Sequence, residues 1–168
     1  MARALIVGCG CRGRELGERL LAAGWAVRGT SRREEGLAAI EAAGIEAVLA
    51  DPDRVGTLLE QVADVAVVFH LLGSASGDPE ALGEIHGPRL ERLLERLVDT
   101  PVRGVVYEAV GSVDGTVLAA GAELVRTAAR TWRIPVEIVD SEPAEVGQWS
   151  QQMMDSALGL LSPVGKVK

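Results

Sequence analysis

Short apolar runs of strand length alternate along this chain with longer stretches whose apolar residues recur at helical spacing. That alternation is the mark of a parallel sheet covered by helices on both faces. Strands are predicted at Ala2–Val7, Trp25–Gly29, Ile45–Leu49, Val65–Leu71, Gly104–Ala109 and Val136–Val139. Helices are predicted at Arg12–Ala23, Glu34–Ala43, Val55–Val62, Pro79–Val98, Thr116–Thr131 and Glu142–Leu161. In the first helix Leu16, Leu20 and Ala23 share a face and Gly24 ends it; Gly44 stops the second. Leu90, Leu93, Leu94 and Leu97 stripe the helix at 79–98, where Gly87-Pro88 predicts a kink or a restart. The expected fold class is α/β: a doubly wound parallel sheet in three α/β/α layers, with about six strands. Residues 1–161 form one domain in this reading, and 162–168 are a tail that should fray.

Composition narrows the picture. At 168 residues the chain is long enough to bury a core without disulfides or a metal. Hydrophobic residues make up 48% but aromatics only 3%, so Val, Leu, Ile and Ala must fill that core, as where a buried parallel sheet meets helices. The formal net charge of -7 repels nucleic-acid backbones and anionic lipid surfaces, which argues against either as a partner. MARALIVG enters the first strand without the look of a signal peptide, and no apolar run approaches the roughly 18 residues of a membrane span. The expected location is cytoplasmic. Cys9 and Cys11 are badly placed to bridge each other, and with only His70 and His86 elsewhere they lack the further ligands of a metal site. They read as small side chains tolerated where backbone approaches a ligand.

The chemistry concentrates at the first turn. In ALIVGCGCRGRELGERLLAAGW, Gly8, Gly10 and Gly13 follow a predicted strand and open a predicted helix at the spacing G-x-G-x-x-G. The first glycine permits the turn, the second removes a side chain where a pyrophosphate would sit, and the third lets helix and strand pack closely. Phosphate would meet free N–H groups and the positive end of the helix dipole. This context favours a dinucleotide site over a purely structural turn, and makes Gly8, Cys9, Gly10, Cys11, Arg12 and Gly13 its loop. An NAD site places an acid at the end of the second strand; here the chain reads RGTSRREE, with Thr30, Ser31, Arg32 and Arg33 in its place. Guanidinium forks suit a 2'-phosphate, which favours NADP over NAD. The plainer alternative is that the two arginines are a solvated loop.

With GIEAVLADPD, VVFHLLG and VVYEAVGS added, residues 2–140 resemble an atypical or extended short-chain dehydrogenase/reductase with a Rossmann fold. The resemblance implies that Asp51 caps the adenine edge, that Leu71, Leu72 and Gly73 pass under the adenosine ribose, and that the loop after Tyr107 faces the nicotinamide. Pro52 departs from the pattern, since it has no N–H to offer the adenine. A larger departure is the missing Tyr-x-x-x-Lys pair, which in the family tunes a phenol for proton transfer. The lysines here are Lys166 and Lys168, and the single tyrosine, Tyr107, is followed four residues on by Gly111. Ser112 resembles the family's substrate-orienting serine by position, although turn chemistry alone accounts for a serine there.

Tyr107 and Ser112 are therefore weak catalytic candidates. His70 reads as a core histidine or an acid/base group near the cleft, Glu108 as a carboxylate on the face opposite Tyr107, and His86 as a mid-helix residue. Extended members of the resembling family carry a C-terminal substrate lobe and this sequence ends soon after its sixth strand and one helix, so the expected substrate is small, comes from a partner chain or does not exist. The helices at Leu90–Val98 and Val117–Ala129 correspond to those that pair in homodimers of the family, or simply pack on the sheet. Two functions remain open: an NADP(H)-binding sensor, regulator or subunit without the catalytic pair, and an NADP-dependent oxidoreductase or epimerase acting on a small carbonyl substrate. A copy that keeps the fold and binds nothing is the third reading.

Overall fold

The computed structural model describes residues 2–140 and 146–161. Strands β1 (Arg3–Val7), β2 (Ala26–Ser31), β3 (Glu46–Leu49), β4 (Val67–His70), β5 (Gly104–Glu108) and β6 (Val136–Val139) form one sheet in the order β3-β2-β1-β4-β5-β6. Every pairing is parallel, with Ala4 opposite both Val27 and Val67, and Phe69 opposite Val106. Parallel neighbours need long crossovers. These are supplied by α1 (Cys11–Ala22), α2 (Leu37–Ala42, entered through a 3-10 turn at Glu34–Gly36), α3 (Val55–Leu59), α4 (Pro79–Ile85), α5 (Pro88–Leu97) and α6 (Gly115–Trp132). Helix α7 (Val146–Leu161) follows β6.

Alternation along the strands divides the core in two. Leu5, Val7, Val68, Val105 and Tyr107 meet α3, α5 and α6 on one face. Ala4, Ile6, Val67, Phe69 and Val106 meet Leu16 and Leu20 of α1, Ile40 of α2, and Trp149 and Met153 of α7 on the other. This is the expected doubly wound α/β/α arrangement.

Described element ends lie within a few residues of the sequence pattern. The stretch Pro79–Val98 restarts at Gly87-Pro88 as expected and is two helices, because Pro88 drives Gly87 out of helical geometry (φ -125, ψ -109) and then sits at the first position of α5. Helix α4 opens the same way, with Pro79 in its first turn and the Asp78 carboxylate accepting the Ala81 N–H at 2.8 Å. Strand β2 runs on to Ser31, two residues beyond the expected end, so Thr30 and Ser31 belong to the sheet. Helix α7 is described from Val146; its expected beginning at 142–145 and the tail at 162–168 lie outside the described residues.

Candidate functional site

The strand order reverses between β1 and β4, and in such sheets a crevice opens beyond the carboxyl ends of the strands at that point. A cleft of about 560 Å³ lies there. The loop from Gly8 to Arg14 forms its middle, the end of β2 and the loops after β2 and β3 supply one side, and residues after β4, the end of β5 and one side chain of α7 supply the other.

The glycines divide the work of the loop. Gly8 has φ +86, and a Cβ there would come within 2.5 Å of the Leu71 carbonyl oxygen, so neither the turn nor its neighbour admits a side chain. At Gly13 a Cβ would press on Gly8 O at 3.1 Å and Ile6 Cγ2 at 3.2 Å, where α1 lies against β1. Gly10 is different. Its φ is -85, and an added Cβ would have nothing within 4 Å. Nothing in the fold requires a glycine at that point; the space in front of it is open cleft.

Behind Gly10 the helix start is bare. Gly10 is the N-cap and has no side chain with which to cap, so the N–H groups of Cys11, Arg12 and Gly13 have no acceptor four residues back. The preceding amides are engaged elsewhere: Gly8 N donates to Thr30 Oγ1 at 3.2 Å, Cys9 N to Thr30 O at 3.1 Å and Gly10 N to Gly8 O at 2.9 Å. The free donors are thus fewer than the residues of the glycine loop, and Thr30 serves to pin it. Cys9 turns its sulfur into the protein, where it fills the space left by Gly29, and burial pushes its thiol pKa up to about 12. It is inert. Cys11 is exposed, and among the described residues no cluster of three or more His, Cys, Asp or Glu is arranged to hold a metal.

At the β2–β3 side, Ser31, Arg32, Gly36 and Pro52 line the cleft. Arg32 is exposed and its Nη2 donates to Ser76 O across the opening at 3.3 Å. Arg33 does not line the cleft; its backbone N–H donates to Ser31 Oγ at 3.1 Å, and that hydroxyl donates to the Arg33 carbonyl at 2.7 Å. Asp51 also stands back, with Oδ1 accepting the Asp53 N–H at 2.9 Å in a local turn. Arg32 and Pro52 therefore face the opening where Arg33 and Asp51 were expected to share it.

At the opposite end Leu71 and Leu72 line the cleft, while Gly73 lies buried behind them and donates its N–H to Glu108 Oε1 at 3.0 Å. Glu108, at the carboxyl end of β5, is the polar centre of this end. Its Oε2 accepts Trp149 Nε1–H at 3.1 Å and lies 3.8 Å from Arg12 Nη1, whose guanidinium carbon sits 5.6 Å from the Trp149 ring centroid. Burial raises the Glu108 pKa, against the lowering effects of the Gly73 N–H, the Arg12 charge and the Trp149 N–H. Sequence reasoning gave Glu108 only a passing role and Trp149 none; an acid closing a valine-rich strand was the available signal.

Neither catalytic candidate reaches the cleft. Tyr107 is fully buried on the other face of the sheet, its hydroxyl 2.7 Å from His86 Nδ1. His86 Nε2 donates to Leu72 O at 2.8 Å, which leaves Nδ1 to accept the phenol proton. Burial, with the Glu108 charge adding to it, pushes the Tyr107 phenol well above its ordinary value, the reverse of what proton transfer at neutral pH needs. Ser112 is exposed outside the cleft, and its N–H donates to Ser74 Oγ at 3.1 Å. His70 is buried beside His86 and Tyr107, with ring centroids 5.6 and 5.4 Å away. Both histidines belong to the core, and His86 follows the end of α4 rather than lying inside a helix.

Solved structures with the same architecture identify the fold. A short-chain dehydrogenase/reductase superfamily protein from Agrobacterium tumefaciens with bound NAD superposes with a TM-score of 0.67 at 23% identity, over 81% of this chain and 48% of that one. The chain has the fold of the short-chain dehydrogenase/reductases. UDP-glucose 4-epimerase from Thermotoga maritima, solved with UDP-glucose, gives 0.66 at 14% identity, over 81% of this chain and 54% of its own. A putative short-chain alcohol dehydrogenase from Burkholderia multivorans gives 0.70 at 16% identity, over 95% of this chain and 91% of its own. The chain thus spans about half the length of the first two and most of the third. No protein-family model matches the chain, and no curated protein does. No helix among the described residues is long and apolar enough to cross a membrane.

Proposed function

We propose that this chain binds a nicotinamide dinucleotide, NADP(H) in preference to NAD(H), as a sensor, regulatory or subunit module without the Tyr-x-x-x-Lys proton donor. The observation that carries the reading is Gly10: a glycine that neither backbone angle nor packing demands, set before three bare helix N–H groups in an open cleft. A pyrophosphate uses all of these features at once, since it needs close backbone approach, N–H donors and the positive helix end. A solved structure that shares this fold contains bound NAD, which supports a nicotinamide dinucleotide as the ligand here.

Arg32 supports the NADP preference. Strand β2 ends in Thr30 and Ser31 with no carboxylate to hold ribose hydroxyls, and the next side chain facing the cleft is a guanidinium. The cofactor, when bound, supplies hydride chemistry, and the protein's share is to orient it and to shape what meets it. Proton work on a small carbonyl substrate, as an oxidoreductase or epimerase would require, falls to Glu108 or to water, because Tyr107 and Ser112 stand outside the cleft.

Melting temperatures with NADPH and NADH test the reading, because a ligand of the native state raises them by mass action. NADPH is expected to give the larger rise. Arg32→Ala should weaken NADPH about tenfold or more, the scale of a lost charge-assisted contact, and leave NADH unchanged. Arg33→Ala should leave both unchanged. Equal weakening of the two nucleotides by Arg32→Ala discards the phosphate role, and no rise with either nucleotide discards the binding reading.

A further inference from the structure

The end of the cleft away from Arg32 is built as a seat for a flat cation. One wall is the Trp149 indole, which is fully buried, and beside it stands the Glu108 carboxylate, whose side chain is 5% exposed. Both carboxylate oxygens accept N–H donors, Oε1 from Gly73 and Oε2 from Trp149, as suits an ionised group that only accepts. A buried carboxylate needs a counter-charge. In this structure the Arg12 guanidinium supplies it, a planar cation 5.6 Å over the indole ring centre and 3.8 Å from Oε2.

Arg12 also stands in the first turn of α1, two residues after the open position at Gly10. An anion arriving at that helix start attracts the same guanidinium, and so competes with Glu108 for it. Drawn to the anion, Arg12 leaves behind an aromatic face and a carboxylate short of positive charge. With the 2'-phosphate at Arg32, a dinucleotide laid over the glycine loop carries its nicotinamide towards this end. The oxidised ring is planar and positively charged; the reduced ring has no charge.

Resting on the dinucleotide reading, we propose that Glu108 and Trp149 form a redox-discriminating seat that takes the oxidised nicotinamide ring in preference to the reduced one, so that the module responds to NADP+ against NADPH. A positive ring satisfies the carboxylate at short range in a poorly hydrated site and gains from the indole face. A neutral ring leaves the same buried carboxylate without a counter-charge.

The test is the ratio of dissociation constants for NADP+ and NADPH, measured calorimetrically on the whole chain. Wild-type protein should bind NADP+ at least tenfold more tightly, which places the midpoint potential of the bound couple about 30 mV below that of the free one. In Glu108→Gln the ratio should fall towards one. Because a Gln amide must point NH2 at one of the two N–H donors, circular dichroism and a melting curve accompany that variant, and the wild-type ratio stands without it. Equal affinities, or tighter NADPH, in wild-type protein overturn the proposal. So does a tenfold ratio that survives in a folded Glu108→Gln protein. Binding of neither nucleotide overturns the dinucleotide reading beneath it, whereas binding of both without preference overturns this proposal alone.

Discussion

Single residues separate what the fold requires from what a ligand would require. Gly8→Ala places a side chain at φ +86 and against the Leu71 carbonyl, and should cost at least the roughly 1–2 kcal/mol of left-handed backbone. Gly13→Val crowds Gly8 O and Ile6, an overpacking cost of about 1–3 kcal/mol. Gly10→Thr should leave stability within about 0.5 kcal/mol, since threonine and glycine rank together as N-caps. Urea unfolding of the three variants checks this, and a Gly10→Thr protein as damaged as Gly8→Ala would show that Gly10 serves the fold. The motif and the separate parts of its glycines were legible in the sequence, but spacing could not show the atoms each Cβ would meet, such as the Leu71 carbonyl at Gly8. Glu108 was obscured for a related reason: strand alternation placed it opposite Tyr107, yet its partners Gly73 and Trp149 lie 35 and 41 positions away in the chain.

Elements are tied together on the closed face of the sheet by a polar group in an apolar setting. Tyr107 of β5 lies beside His70 of β4 and bonds to His86 at the end of α4, and a Cβ at Gly121 of α6 would collide with the Tyr107 hydroxyl. Gly121→Ala should therefore destabilise by about 1–3 kcal/mol, although alanine is the better helix former by about 1 kcal/mol. A chemical denaturation midpoint that rises would refute the close packing.

The same group sets the response to acid. Burial, reinforced by the neighbouring His86, lowers the His70 pKa from 6.5 to about 3, and burial lowers that of His86. The unfolded chain then binds more protons below pH 6.5, so the stability these groups confer is complete above 6.5 and is lost as pH falls towards 3. The slope approaches about 1.4 kcal/mol per pH unit for each histidine still neutral in the fold. Glu108, with its pKa raised by burial, acts in the opposite sense, because the folded chain takes up that proton at a higher pH than the unfolded one. Unfolding free energies measured from pH 7 to pH 4 should fall in wild-type protein and fall less in His70→Phe; parallel curves would contradict this. Helix and strand positions were legible to within a few residues, since periodicity reports them. His86 was not, because the expected break at Gly87-Pro88 could be a kink or a restart, and as a restart it leaves His86 past the end of α4.

At the scale of the molecule, the alternation of runs was enough to give a doubly wound sheet, and the strand order gives the cleft its place. The net charge of -7 spreads over a surface whose cleft carries Arg12, Arg14 and Arg32, so attraction for an anionic ligand is local rather than global. The central claim is that the bare helix start behind Gly10 holds a nicotinamide dinucleotide. Its most direct test is calorimetric titration of wild-type and Gly10→Thr proteins, side by side, with NADPH and NADP+. The account predicts saturable one-site binding to wild-type protein and its loss in Gly10→Thr at an unchanged melting temperature. Absence of heat from either nucleotide with wild-type protein, or undiminished binding in Gly10→Thr, would contradict it.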